Sequence, residues 1–151
     1  MTKARAAKPF VLGLTGSIAS GKTTVLEIFK NSGLFTLSAD ALGHEALACA
    51  GVQKKLQKEF ACHSREELAR LVFKRPSART RLEAILHPLI LKKAQKLLAG
   101  CGARVAVFEV PLLFEAGWDK YVDMTLLVAG CGRGLENRLK QRGLTLAQYK
   151  A

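Results

Sequence analysis

Gly16-Ser17-Ile18-Ala19-Ser20-Gly21-Lys22-Thr23 combines residue types and spacing suited to gripping a phosphate. It fits the pattern G-x-x-x-x-G-K-[ST], in which successive backbone N–H groups turn inward around an anion. A helix starting at the end of such a loop adds the partial positive charge of its first turn. Gly21 lets the backbone turn close to the ligand with no side chain in the way. Lys22 is expected to reach the β- and γ-phosphates of a nucleotide, and the Thr23 hydroxyl to ligate Mg²⁺. Thr24, next in the same turn, completes the expected ATP-binding stretch from Gly16. Chance matches to this pattern do occur in glycine-rich chains, so its value depends on the elements around it.

Those elements have the right order. Phe10 to Thr15 is a short apolar run bounded by turn residues, which suits a buried parallel strand. From Lys22 to Lys30 the apolar residues Val25, Leu26, Ile28 and Phe29 recur at helical spacing, and Gly33 supplies a stop. Leu34 to Leu37 reads as a second strand, and Asp40 opens a helical stretch through about Ala50. Residues 41–100 read as helix throughout. Leu68, Leu71 and Val72 share one face, Pro76 ends that helix, and Ser77 is placed to cap the next. The helix after it runs to Gly100, with a kink expected at Pro88. Arg104 to Val110 and Met124 to Ala129 are further strands, Leu135 to Arg142 is a charged helix, and another helix is expected to begin near Thr145. Strand–loop–helix units in alternation predict an α/β fold with a parallel sheet covered on both faces.

The chain has 151 residues, 49% of them hydrophobic, which is enough for one domain with a core and too few for two. A charged fraction of 24% excludes a disordered chain. No apolar run is long enough to span a bilayer, and no secretory signal is evident. The formal net charge is +12, and Lys54 to Arg104 alone carries thirteen basic and four acidic residues. An anionic partner is one reading of that excess and a solvated, positively charged helical surface is the other. Only Phe60 and Phe73 interrupt this stretch, so the interleaved aromatics of a single-strand nucleic-acid binder are missing, and no specific nucleic acid is expected. Cysteines at 49, 62, 101 and 131 have no metal-ligand spacing, and reduced thiols in the cytoplasm are expected.

A phosphate loop alone does not separate kinases from GTPases, motor ATPases or binding modules. The guanine-reading N-K-x-D is missing from the sequence, and motor ATPases are usually longer. A short chain with a basic helical insert favours a small-molecule kinase whose insert holds the phosphate acceptor.

More specific are Ser38-Ala39-Asp40, Arg65-Glu66-Glu67-Leu68-Ala69, Leu82-Glu83-Ala84-Ile85-Leu86-His87-Pro88 and Val110-Pro111-Leu112-Leu113-Phe114-Glu115, which follow the loop in that order. Together they resemble the dephospho-CoA kinases over about Phe10 to Tyr149. The resemblance implies a three-layer P-loop NTPase sheet of the nucleotide-kinase type within a single domain, 1–151. Within it, about 41–100 is the helical acceptor-binding region and about 133–151 the start of a lid. It also implies transfer of the ATP γ-phosphoryl to the ribose 3′-hydroxyl of dephospho-CoA, the last step of coenzyme A biosynthesis, with Mg²⁺.

Among the residues carried over, Lys22, Asp40 and Arg138 are expected to be catalytic. Asp40 matches a carboxylate that orients the acceptor hydroxyl or accepts its proton; a helix cap is its plainer reading. Arg65 matches an arginine for acceptor phosphates, with a solvated surface arginine as its plainer reading; His87 is expected near the acceptor pocket or as a structural cap, and Pro111 and Leu112 as the pocket's wall, with ordinary core the alternative for Leu112. Glu109 ends a strand where a carboxylate near the magnesium is common. Arg138 and Arg142 match lid arginines that close over ATP, set four apart on one helix face.

The sequence also departs from the family pattern. Ser17 and Ala19 stand where glycines are usual, Ser38 replaces the first aspartate of a D-x-D pair, Ser64 replaces a common acid and Leu135 replaces a lid glutamine. The family continues beyond the lid helix into another strand and a loop around adenine, so a C-terminal truncation is expected. Alternatives are another P-loop small-molecule or nucleotide kinase, or an inactive nucleotide-binding protein.

Overall fold

The computed structural model describes residues 8–62, 64–130, 132–145 and Tyr149. The chain forms two compact units, one from Met1–Ser38 with Leu98–Ala151 and the other from Ala39–Leu97.

The first unit is a four-stranded parallel sheet. Strands β1 (Phe10–Thr15), β2 (Phe35–Ser38), β3 (Val105–Glu109) and β4 (Met124–Leu127) lie in the order β2-β3-β1-β4. The apolar runs dictate this arrangement. Val11, Leu14, Ala106, Val107 and Phe108 are each at most 2% exposed, as expected of strands covered on both faces. Helix α1 (Lys22–Asn31) follows β1 and turns Val25, Leu26 and Phe29 into half-buried positions. Ile28, of the same apolar set, is 58% exposed. Gly33 ends this segment at φ +83°, a left-handed turn that glycine adopts without strain.

Register fixes what meets at the sheet's carboxyl edge. Leu14 pairs with Glu109, Thr15 with Leu127 and Ser38 with Glu109. The chain after β3 therefore starts beside the loop after β1. Leu113 is fully buried there, and Trp118 stacks on Phe108 with ring centroids 6.0 Å apart. At the opposite edge Asp123 accepts a hydrogen bond from the Val11 amide at 2.7 Å, which pairs a strand-end donor left without a neighbouring carbonyl. Met124 and Leu127 of β4 are largely exposed.

The second unit is helical: α2 (Ala39–Ala48), α3 (Ala50–Phe60), α4 (Arg65–Lys74) and most of α5 (Pro76–Gly100). Leu56, Phe60, Leu68 and Ala78 form its buried cluster, with Leu71, Val72, Leu82 and Ile85 packed against them. Arg81 lies over the Phe60 ring and pairs with Glu59, and Lys93 pairs with Glu45. None of the described helices is long and apolar enough to cross a membrane. Cys49, Cys62 and Cys101 carry free thiols.

The structure corrects several boundaries. Pro76, not Ser77, opens α5: its missing N–H costs nothing in the first turn, and Arg75 O accepts from Ala78 and Arg79. Helix α5 then continues through Pro88. The helix expected from Leu135 to Arg142 is α6 (Gly132–Gln141), which begins three residues earlier and stops one residue sooner. The helix expected near Thr145 falls largely outside the described residues, although the Tyr149 amide donates to Thr145 O.

Ser64 caps α4 by accepting from the Glu67 amide at 3.1 Å. Substitution of Ser64 by Ala is expected to cost about 1 kcal/mol, read as a lower denaturant midpoint with an unchanged slope.

Candidate active site

The segment between β1 and α1 is built around its own backbone. Gly16 takes φ +150° and is buried, because a Cβ there would sit 2.2 Å from the carbonyl oxygen of Val128. Gly21 takes φ +105° as the residue before α1, and a Cβ there would meet nothing within 4 Å, so its conformation and not space requires glycine. The first intrahelical bond runs from Val25 N–H to Gly21 O at 3.1 Å. The preceding first-turn amides open toward the loop, as helix starts do. No acidic residue stands in the first turn of α1 to compete for that field.

The Lys22 ammonium folds back over the loop, donating to Gly16 O at 2.6 Å and Ser17 O at 2.8 Å. Those carbonyls hold a cation across the mouth of the loop, where phosphate oxygens offer it stronger, charge-assisted partners. Ser20 is 5% exposed, and its hydroxyl finds no partner among the described residues. A buried hydroxyl without a hydrogen-bond partner is costly, and this one sits in the loop between β1 and α1. Thr23 and Thr24 are exposed at the start of α1.

Two further anchors tie the loop to the sheet unit. Thr15 donates its hydroxyl proton to Pro111 O at 3.1 Å, which joins the end of β1 to the segment after β3. Arg138, on α6, donates Nε–H to Ala19 O at 2.7 Å. Glu109 is 7% exposed and ends β3, paired in the ladder with Leu14 on one side and Ser38 on the other.

The structure thus gathers the stretch from Gly16 to Thr24 together with Glu109, Pro111 and Arg138. Leu112 is 44% exposed, whereas its neighbour Leu113 is core. Arg142 is not on the α6 face with Arg138: the helix has ended, and its amide closes a turn onto Leu139 O. Asp40, Arg65 and His87 belong to the helical unit. Asp40 is an exposed second residue of α2, not its cap. Arg65 lines a cavity of about 180 Å³ with Gln53, Gln57, Ser64 and Leu68. His87 is half-buried in α5.

Sequence reasoning missed Tyr149, whose hydroxyl lies 2.6 Å from Ser17 Oγ across 132 residues of chain. No local pattern announces a contact at that separation.

A parallel sheet with a lysine-bearing phosphate cradle at the carboxyl end of β1, and a buried carboxylate ending the adjacent strand, defines a P-loop phosphotransferase. The family model described as dephospho-CoA kinase matches residues 10–151. A dephospho-CoA kinase of Burkholderia pseudomallei is 39% identical over 94% of this chain and 75% of its own length. Another, from Dechloromonas aromatica, is 35% identical over 94% of this chain and 74% of its own. A crystal structure of a Thermus thermophilus protein superposes with a TM-score of 0.80 at 34% identity, covering 94% of this chain and 77% of that one. The chain belongs to the dephospho-CoA kinase family.

Proposed function

We propose that this chain transfers the γ-phosphoryl group of ATP to the ribose 3′-hydroxyl of dephospho-CoA, giving coenzyme A and ADP. The observation that carries the reading is the loop itself: an unpaired Ser20 hydroxyl and a Lys22 ammonium held on Gly16 O and Ser17 O, ready to exchange those carbonyls for phosphate oxygens.

The donor set fits Mg²⁺ delivered with the nucleotide. The Thr23 hydroxyl and the Glu109 carboxylate are hard oxygen donors, and Glu109 stands 7% exposed at the end of β3. Among the described residues no group of three His, Cys, Asp or Glu side chains could cage an ion alone, which suits a cation that keeps phosphate oxygens and water as ligands. Such an ion supplies charge neutralisation on the phosphate oxygens.

The remaining work falls to the chain's own groups. Lys22 and the loop amides stabilise charge on the β- and γ-phosphates, and Arg138, from 133–151 as the start of a lid, adds a guanidinium beside Ala19. Asp40 orients the acceptor hydroxyl and takes its proton. Arg65 holds an acceptor phosphate at the cavity it lines, with His87, Pro111 and Leu112 bounding the acceptor, and Arg142 approaches the nucleotide phosphates.

The test is ADP release in a coupled assay. Turnover is expected only with dephospho-CoA and a divalent cation together, and chelation by EDTA should abolish it. Equal ADP release without dephospho-CoA would reject the acceptor, and turnover in EDTA would reject the role of the ion.

A further inference from the structure

Two loop residues that carry side chains, Ser17 and Ala19, are both engaged by the C-terminal segment. Ala19 takes φ +58°, a left-handed conformation that an L side chain adopts only against resistance. Its methyl is 5% exposed and joins a cluster with Leu135 and Leu139 of α6, 6% and 1% exposed, against which Leu144 and Tyr149 also pack. Arg138 grips the carbonyl of the same residue. Two residues back, Ser17 Oγ lies 2.6 Å from the Tyr149 hydroxyl. A glycine at 17 or 19 would offer neither the hydroxyl nor the methyl.

The geometry points to Tyr149 as a positioning residue. Through Ser17 it holds the phosphate loop in its anion-binding shape before nucleotide arrives, and α6 supports Ala19 in its strained conformation. A loop already ordered gives up less freedom on binding, so the brace raises nucleotide affinity and leaves the chemical step alone. The hydroxyl is the telling group, because the Tyr149 ring also packs on the apolar cluster. Removing the hydroxyl alone separates the brace from the packing.

This inference rests on the reading that the loop takes nucleotide phosphates, and a double-mutant cycle on the full chain tests the two separately. ADP binding is measured by calorimetry for wild type, Tyr149→Phe, Ser17→Ala and the pair, with thermal midpoints taken without nucleotide. Each single change is expected to weaken ADP binding about fivefold, on the order of one neutral hydrogen bond. The double variant should be no weaker than either single, because the two changes remove one interaction. In turnover, KM for ATP should rise in Tyr149→Phe while kcat holds. Independent, multiplicative losses would overturn the brace, as would tighter binding in Tyr149→Phe, since the hydroxyl would then compete with the nucleotide. So would a lowered thermal midpoint with unchanged ADP affinity. Absence of ADP binding in the wild type sinks the nucleotide reading and this one with it, whereas wild-type binding with an additive cycle sinks this one only.

Discussion

Replacing Lys22 by Ala should abolish turnover, with kcat falling by on the order of 10³-fold. The ammonium now spans the loop between Gly16 O and Ser17 O, within 2.6 and 2.8 Å. On the proposed function its charge is matched to the spreading negative charge of the transferred group, an interaction stronger in the transition state than in the ground state. Loss should therefore fall mainly on kcat, with a smaller loss of ADP affinity. Arg is not expected to rescue the activity, because its planar fork cannot replace a point charge folded between two carbonyls. Fold should persist, since Lys22 is only half-buried and lies outside the core. The check is single-turnover kinetics alongside a denaturation curve. A variant that retains turnover within tenfold of the wild type would remove the loop from the mechanism.

The loop and the sheet were legible because both are written locally. Six apolar-rich residues, then two glycines five apart, then a lysine and a threonine specify strand, cradle and helix start within fifteen residues. Strand β3 was legible for the same reason, and its last residue, Glu109, lies beside the loop because β1 and β3 pair in register. Helix ends were less so. One helical stretch was expected from Asp40 to Ala50, yet α2 stops at Ala48 and α3 starts at Ala50, with Cys49 in an extended conformation between them. Nothing in the types at 48–50 signals a break. At 76 and 77 two rules competed, a serine cap and a proline in the first turn, and the proline won because Arg75 supplied the extended residue before it. The charged helix gained three residues, Gly132 to Gly134, despite poor propensity there. Burial of Leu135 and Leu139 on the loop overrides that propensity, a tertiary effect that no local window contains.

Departures from the family pattern carry information of the same kind. Taken singly, Ser17 and Ala19 in place of glycines suggest only a stiffer loop. The structure gives each a distant partner, Tyr149 for one and Leu135 with Leu139 for the other. Leu135, at a position where the family resemblance implies a glutamine, belongs to the same cluster. Three substitutions that look unrelated in sequence meet in one cluster around the loop.

Gly16→Ala is expected to be the most damaging conservative change in the chain. The added methyl carbon would sit 2.2 Å from Val128 O and 3.0 Å from Ser20 Oγ, well inside contact distance. The oxygen is backbone and cannot rotate away: its own residue's amide is held by Thr15 O at 2.8 Å, where β4 runs out alongside β1. Relief would require either parting those two strand ends or re-routing the loop. The φ of +150° adds strain for any residue with a Cβ. Together these terms should cost about 2–4 kcal/mol of stability, combining overpacking with backbone strain. Nucleotide binding should be lost along with it, because Gly16 O is one of the carbonyls that seat Lys22. Gly21→Ala provides the contrast. A Cβ there meets nothing within 4 Å, so only the strain of φ +105° remains and the stability loss should be smaller. Denaturant midpoints and ADP calorimetry on the two variants separate steric overlap from conformational strain. Equal stability losses at the two positions would mean that the Val128 carbonyl is free to move, and the loop would then be softer than its packing implies.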